Sequence, residues 1–307
     1  MLPRVIECVI LNNEIDLLEE RLYQSYDCID LFVIVESEQT FSSNKKPLSY
    51  LTNEHKFLTW KDKIRYFVCP SDDKLKLWQY EWFQRNYIVE CLKELNCTDE
   101  DIIFISDVDE FININNVLKF KDKIPFRFET AFYYYFSNLK TFEIHNTNIC
   151  VYWKDIKDIF IGNRELYLKI FPEYLPEKEE TKFGKHLSYM FGYDIEKYQN
   201  KISSFSHSEY NNYYYKNPIR LKYLINAKKD IFERSEVNYE ITKPQGFITV
   251  GLQKHNSYYS TIVYTQFAFI IKFYIFLLRN FYFLDRRTRY LIKRLPEKIT
   301  MLFFKRG

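Results

Sequence analysis

Short apolar runs alternate with amphipathic stretches along the first 110 positions. Arg4–Leu11 is mostly apolar and predicts a first strand. Asn12 or Asn13 can then cap a helix running to about Tyr26, with Ile15, Leu18 and Leu22 on one face. Leu31–Val35 reads as a short buried strand ending at Glu36-Ser37. Polar Gln39–Asn53, with Lys45-Lys46-Pro47, reads as a loop. Ile64–Val68 predicts another strand, Cys69 to Asp73 a turn, and Leu77–Leu95 a long aromatic-rich helix. After a turn at Thr98–Asp101, Ile102–Ile105 predicts the strand that leads into Ser106-Asp107-Val108-Asp109-Glu110.

Strand–helix–strand alternation with short apolar strands implies an α/β fold with a mostly parallel sheet, Rossmann-like and flanked by helices. In such sheets ligands bind at the carboxyl ends of the strands. Glu36 and Asp107 both fall at such ends. Beyond Phe120 the pattern changes. Phe126–Phe136 alternates like a sheet element, Leu166–Ile170 reads as a strand, and 172–182 as a charged loop. Two polar clusters, Phe183–Tyr189 and Lys201–Tyr210, look like the second half of a site.

Composition narrows the chemistry. The 307 residues are 47% hydrophobic, 19% aromatic and 28% charged, which describes a globular chain. With only 6 Gly there is no P-loop and no Gly-x-Gly-x-x-Gly, so any phosphate must be held by metal, Lys or Arg. Six cysteines without a Cys-x-x-Cys pair fit a reducing compartment. The N-terminus shows no signal-peptide pattern, so a cytoplasmic location is expected. The net charge of +3 hides an asymmetry. From Ile262 to Gly307 ten Lys/Arg stand against Asp285 and Glu297, a net of +8 that leaves −5 for the rest. The basicity belongs to the tail, and no nucleic-acid partner is expected.

Asp107 and Asp109 carry the clearest chemistry. In a turning backbone, carboxylates at i and i+2 can converge on one point. Two hard oxygen ligands there suit Mn²⁺ or Mg²⁺ held against a diphosphate. The competing reading is a turn former or a helix cap. An EF-hand is excluded, because Phe111 and Ile112 stand where its loop needs an oxygen ligand and a Gly.

An ordered set of short pieces resembles glycosyltransferase family 17. They are Asn13-Glu14-Ile15-Asp16-Leu17-Leu18 with Arg21, Phe32-Val33-Ile34-Val35-Glu36-Ser37 with Thr40, and Lys46-Pro47-Leu48. Trp78 with Glu81 and Gln84-Arg85 follows, then Ser106-Asp107-Val108-Asp109-Glu110 and Gly184-x-His186-x-Ser188-Tyr189. Together they span about residues 4–210. The resemblance implies a GT-A fold, a nucleotide-sugar donor such as UDP-N-acetylglucosamine, and inversion at the anomeric carbon. Sugar transfer needs a neutralised leaving diphosphate, a base for the acceptor hydroxyl, and a positioned sugar. Asp107 and Asp109 then become metal ligands, with His186 a candidate third through neutral imidazole. Glu36 and Arg85 are candidates for the nucleotide, as is Lys185 for a phosphate oxygen. Arg85 has a rival partner in Glu81 one helical turn away. Glu209, Glu110 and His207 are candidate bases. Trp153, Tyr189 and Tyr210 are candidate sugar platforms, against ordinary packing.

Two domains are expected, a catalytic one over 1–259 and a basic, aromatic, amphipathic helical appendage over 260–307. Lys272, Arg279, Arg286 and Lys293 recur every seven residues and so share a helical face. Such a helix suits peripheral contact with an anionic membrane through 260–295, or packing on a protein surface. A glycan or lipid-linked glycan would be the acceptor. Two alternatives stay open: a metal-dependent nucleotidyltransferase, and a non-catalytic, membrane-associated scaffold with this fold.

Overall fold

The computed structural model describes residues 2–175 except 43, 73, 76 and 144, then 183–243, 252, 268–281 and 295. The chain forms two compact units. The first holds Met1–Gly192, Ser204–Ser208 and Glu240–Tyr258; the second holds Tyr193–Ser203, Glu209–Tyr239 and Tyr259–Gly307. The boundary expected at residue 260 lies outside the described residues, as do Arg286 and Lys293.

Four apolar runs form the parallel half of the first unit: β1 (Val5–Leu11), β2 (Leu31–Ser37), β3 (Ile64–Cys69) and β4 (Ile102–Asp107). They lie in the order β3-β2-β1-β4. The first helix occupies Ile15–Ser25. Its cap is Glu14 rather than Asn12 or Asn13, and the Glu14 carboxylate turns back to accept from both asparagine amides. The segment expected as a loop over Gln39–Asn53 contains a helical turn, Ser49–Thr52. The long helix covers Trp78–Glu94.

Side chains alternate across a strand, so the sheet has two cores. Ile6, Cys8, Ile10, Val33, Val35, Ile103 and Ile105 face Ile88, Val89 and Leu92 of the long helix. On the other face Val9, Leu11, Phe32, Ile34 and Phe104 meet Leu18 and Leu22 of the first helix. Glu7 and Ser106 share the parity of that second face, and Arg21 of the first helix meets both there.

The sheet is mixed, which corrects the expectation of a mostly parallel one. After β5 (Glu110–Ile112) come β6 (Phe126–Tyr134), β7 (Leu139–Thr141), β8 (His145–Tyr152) and β9 (Gly184–Ser188). β8 runs antiparallel to β4, and β6 antiparallel to β8 and β7. β9 lies between β5, antiparallel, and β6, parallel. The strand expected at Leu166–Ile170 is instead a 3-10 turn, Arg164–Leu166, followed by a helical turn, Tyr167–Ile170. Leu168 and Ile170 are exposed there. Tyr167 is buried and donates from its hydroxyl to the Ile161 carbonyl, so no apolar face of period two is satisfied.

In the second unit Asn217 accepts from the Ile219 and Arg220 amides and caps the helix Pro218–Asn226. Its amide donates to the Tyr274 hydroxyl of the helix Ala268–Phe281 at 2.9 Å, joining the two helices. Among the described residues no helix is long and apolar enough to cross a membrane.

Candidate active site

The acidic turn sits where parallel-sheet logic places it. Register pairs Leu11 with Glu36 and Ile10 with Asp107, so both carboxylates lie at the carboxyl edge, on either side of β1. Strand β4 ends at Asp107, Val108-Asp109 turns, and Glu110 opens β5.

Arg21 holds this turn by its backbone. The side chain is 2% exposed. Its Nη1 donates to the Asp107 and Glu110 carbonyls at 2.7 and 2.9 Å. Nε and Nη2 donate to Glu7 Oε1 at 2.9 and 2.7 Å, and Nη2 also donates to Ser106 Oγ. One planar guanidinium therefore ties the turn to the buried Glu7.

Two further arginines hold the turn by its side chains. Arg85 donates to Asp107 Oδ1 and to Glu81 Oε1, both at 3.0 Å, and to the Gly162 carbonyl at 3.0 Å. The Glu81 pairing foreseen from helical spacing thus exists together with an Asp107 contact, on a side chain that is buried rather than on the helix surface. Arg164 Nη1 donates to Asp107 Oδ2 at 2.8 Å and Glu110 Oε1 at 2.9 Å, and its Nη2 to Glu110 Oε2 at 3.0 Å. Glu110 Oε2 also accepts from the Asp107 amide at 2.6 Å. Burial alone would raise the Asp107 carboxyl. Arg85 and Arg164 outweigh burial and hold it well below the usual carboxylate range. Glu110 is lowered too, with Arg164 and then His145 overcoming its burial.

Asp109 points to a different partner. Its Oδ2 lies 3.6 Å from His186 Nε2. Register sets this approach: β9 pairs His186 with Glu110, and the Leu187 amide donates to the Asp109 carbonyl at 2.7 Å. His186 therefore lies in a strand. A Cβ on Gly184 would meet the Phe111 carbonyl oxygen at 2.1 Å, so only glycine allows this strand pair to close. His186 stacks on Phe132 at 4.1 Å and meets the edge of His145 at 4.4 Å. His145 Nε2 is 3.2 Å from Glu110 Oε1. Burial lowers the His186 pKa, but Asp109 and then Glu110 outweigh it and leave it raised. Burial lowers His145 to about 3, so this imidazole is neutral at physiological pH. The ligand atoms of Glu110, His145 and His186 all lie within 4.8 Å of one another.

Other expected residues are placed elsewhere. Glu36 is fully buried, and its two oxygens accept from Lys46 Nζ, the Ser49 and Tyr50 amides and the Tyr66 hydroxyl, at 2.6–3.0 Å. All four of its acceptor positions serve the protein. Lys185, next to His186 on β9, faces the other side of the strand. There it lines a cavity of about 390 Å³ with Tyr23, Phe111 and Asn113, and burial lowers its pKa. His207 is exposed and meets the edge of Trp78 at 4.8 Å. Its neighbour Ser206 donates to Glu81 Oε2 at 2.5 Å, which links that segment through Glu81 to Arg85. Glu209 is exposed and belongs to the second unit. Trp153 and Tyr189 are buried.

The family model for glycosyltransferase family 17 matches residues 1–243. The chain belongs to glycosyltransferase family 17. It is similar to a beta-1,4-mannosyl-glycoprotein 4-beta-N-acetylglucosaminyltransferase of Rattus norvegicus, 29% identical over 126 residues. That stretch covers 38% of this chain and 23% of the rat protein. The Homo sapiens protein of the same description is also 29% identical over 126 residues, covering 38% of this chain and 24% of its own length. The chain thus spans about a quarter of the length of the curated relatives it matches.

Within this family member, two residues at the centre were not foreseen from sequence. Arg164 follows Asn163, whose side chain accepts from the Glu165 amide and starts a short 3-10 turn. An Asn-Arg-Glu turn carries no signal of a partner 57 positions away. His145 opens β8 in the polar run His-Asn-Thr-Asn, where only residues 148–151 are buried.

Proposed function

We propose that this chain is a metal-dependent, inverting glycosyltransferase of the GT-A type. It would move N-acetylglucosamine from a UDP-sugar donor to a glycan hydroxyl, free or lipid-linked. Peripheral membrane contact through 260–295 belongs to the same reading. The observation that carries the catalytic part is the approach of Asp109 to His186 at the carboxyl edge of the sheet.

The residues fit a divalent ion. Donors bound at about 2.1 Å to one ion sit roughly 3.0–3.5 Å apart, close to the 3.6 Å between Asp109 Oδ2 and His186 Nε2. Local charge agrees. Arg21, Arg85 and Arg164 stand against Glu7, Glu81, Asp107, Asp109 and Glu110, leaving two negative charges in excess. The carboxylate field that raises His186 favours a metal in place of its proton. Asp109 and His186 would hold Mn²⁺ or Mg²⁺, with Glu110 and His145 beside them. When bound, the ion supplies Lewis-acid neutralisation of the leaving diphosphate.

The chain's own groups do the rest. Asp107 acts in this reading as the anchor of Arg85 and Arg164 more than as a ligand, and the two guanidinia fix the geometry of the acidic turn. Glu110 is a poor base, since its oxygens are engaged and its pKa is lowered. His207 is the better one: it is exposed and sits on a segment tied through Ser206 and Glu81 to Arg85. Glu36 holds the 46–50 segment instead of the nucleotide.

The test is UDP release from UDP-N-acetylglucosamine with and without Mn²⁺, beside Mn²⁺ binding by calorimetry. Asp109→Asn is expected to weaken Mn²⁺ binding and to lower turnover by about a hundredfold or more. Full turnover without metal would sink the metal assignment. Nucleoside triphosphate turnover with pyrophosphate release would support a nucleotidyltransferase, and no turnover of either donor would support a scaffold.

A further inference from the structure

The second unit carries an aromatic and cationic helix surface of its own. The helix Ala268–Phe281 buries Ile271, Tyr274, Ile275 and Leu278. Its opposite side shows Phe269, Phe273 and Phe276, which are 83%, 57% and 53% exposed. At 100° per residue these three fall within an arc of about 60°. A helix that merely packs on its own domain turns its aromatic stripe inward. This one has an inward apolar face and an outward aromatic stripe.

Lys272 and Arg279 border one edge of that stripe, two turns apart, and both are exposed. They line a cavity of about 620 Å³ together with Lys228, Lys229 and Arg234. Among the described residues, the carboxylates that line it are Asp230 and Glu233. Asp230 is paired with Arg234 at 3.0 Å, and Glu233 accepts from the Tyr214 hydroxyl at 2.7 Å. Among the described residues that line it, five cations stand against two anions.

We propose that this face docks on an anionic membrane. Phe269, Phe273 and Phe276 enter the boundary between headgroups and acyl chains, and the cationic cavity beside them takes lipid phosphate. The charge favours this occupant: a protein partner would need only the aromatic stripe, whereas an anionic bilayer supplies apolar depth and phosphate side by side. The proposal names the residues and lipid chemistry behind the membrane contact in the preceding reading. It does not depend on the catalytic part of that reading.

The test uses the full chain and vesicles of phosphatidylcholine with or without phosphatidylserine, read by co-sedimentation, with UDP release measured in parallel. Binding is expected only to vesicles containing phosphatidylserine. Lys272→Gln with Arg279→Gln should weaken it about 25-fold, taking about fivefold for each charge removed. Phe269→Ser, Phe273→Ser and Phe276→Ser together should weaken it more than about tenfold. All five positions are exposed, so both variants should keep the wild-type circular dichroism and UDP release. Equal binding to both vesicle types, binding to neither, or binding unchanged in both variants would overturn the proposal. Tight binding of inorganic phosphate without vesicles, displacing the chain from them, would assign the cavity to a soluble anion instead. Self-association lost on the Phe→Ser changes, with no vesicle binding, would assign the stripe to a second copy of the chain.

Discussion

Removing Arg21 should separate fold stability from site geometry. Its guanidinium is buried, pairs with Glu7 at 2.7 Å, and donates to the Asp107 and Glu110 carbonyls. Glu7 is 1% exposed, and its Oε2 has no hydrogen-bond partner even with Arg21 in place. Arg21→Met thus leaves a buried carboxylate uncompensated, a loss of roughly 3–5 kcal/mol. For a chain of this size the midpoint of thermal unfolding should fall on the order of 10 °C. The double variant Glu7→Leu with Arg21→Met removes both charges, and most of that loss should be regained. Function should not return with it, because the carbonyls at 107 and 110 still lack their donor and the turn drifts. A displacement near 1 Å corresponds to about a hundredfold in rate. The assay is calorimetric unfolding beside UDP release for wild type, single and double variants. A midpoint unchanged in Arg21→Met, or a double variant that turns over donor like wild type, would refute the reasoning.

Two further outcomes follow from the same structure. Gly184→Ala should push β9 off β5, because its Cβ would meet the Phe111 carbonyl oxygen at 2.1 Å. Mn²⁺ affinity should fall more than unfolding temperature does, and equal affinity with a normal melt would contradict the strand geometry. Asp101, 1% exposed, accepts from the Arg4 amide and guanidinium and from Thr98. Burial raises its pKa, but the hydrogen bonds from Arg4 outweigh burial and leave it lowered. A lowered carboxyl stabilises the fold above its unfolded pKa, about 3.9, and loses that contribution as pH falls further. Asp101→Asn should therefore cost about 2 kcal/mol at pH 7 and progressively less in acid, as read from melting curves across pH. A gap that stays constant below pH 4 would count against the Arg4 pairing.

The parallel half of the sheet was legible because its strands are continuous apolar runs, and the placement of Asp107 and Glu36 at the carboxyl edge followed from them. The antiparallel half was less so. β5 and β9 are short, and His186 lies in a polar Gly-Lys-His-Leu-Ser run that satisfies no two-residue period. Asp109 and His186 were both named from sequence, but their approach is a fact of register between strands far apart in the chain. Arg164 and His145 were invisible for a related reason: each sits in a polar turn or strand start, and only tertiary pairing gives it a role. Glu36 shows the opposite limit, where a carboxylate in the expected place is committed to four protein donors.

The glycine-enabled contact of β9 with β5 bears on how such a chain can diverge. Asp109 immediately precedes β5 and its carbonyl accepts from the Leu187 amide, so its distance from His186 is set by the main-chain bonds that join β5 to β9. Loops among the 76 residues between them can gain or lose length without moving either side chain, provided the strands and the Phe132, His145 and Arg164 contacts stay in place. A slip of a single residue in β9 would turn His186 to the opposite face. Loop lengths around this centre are free to vary, whereas the pairing of these two strands is not.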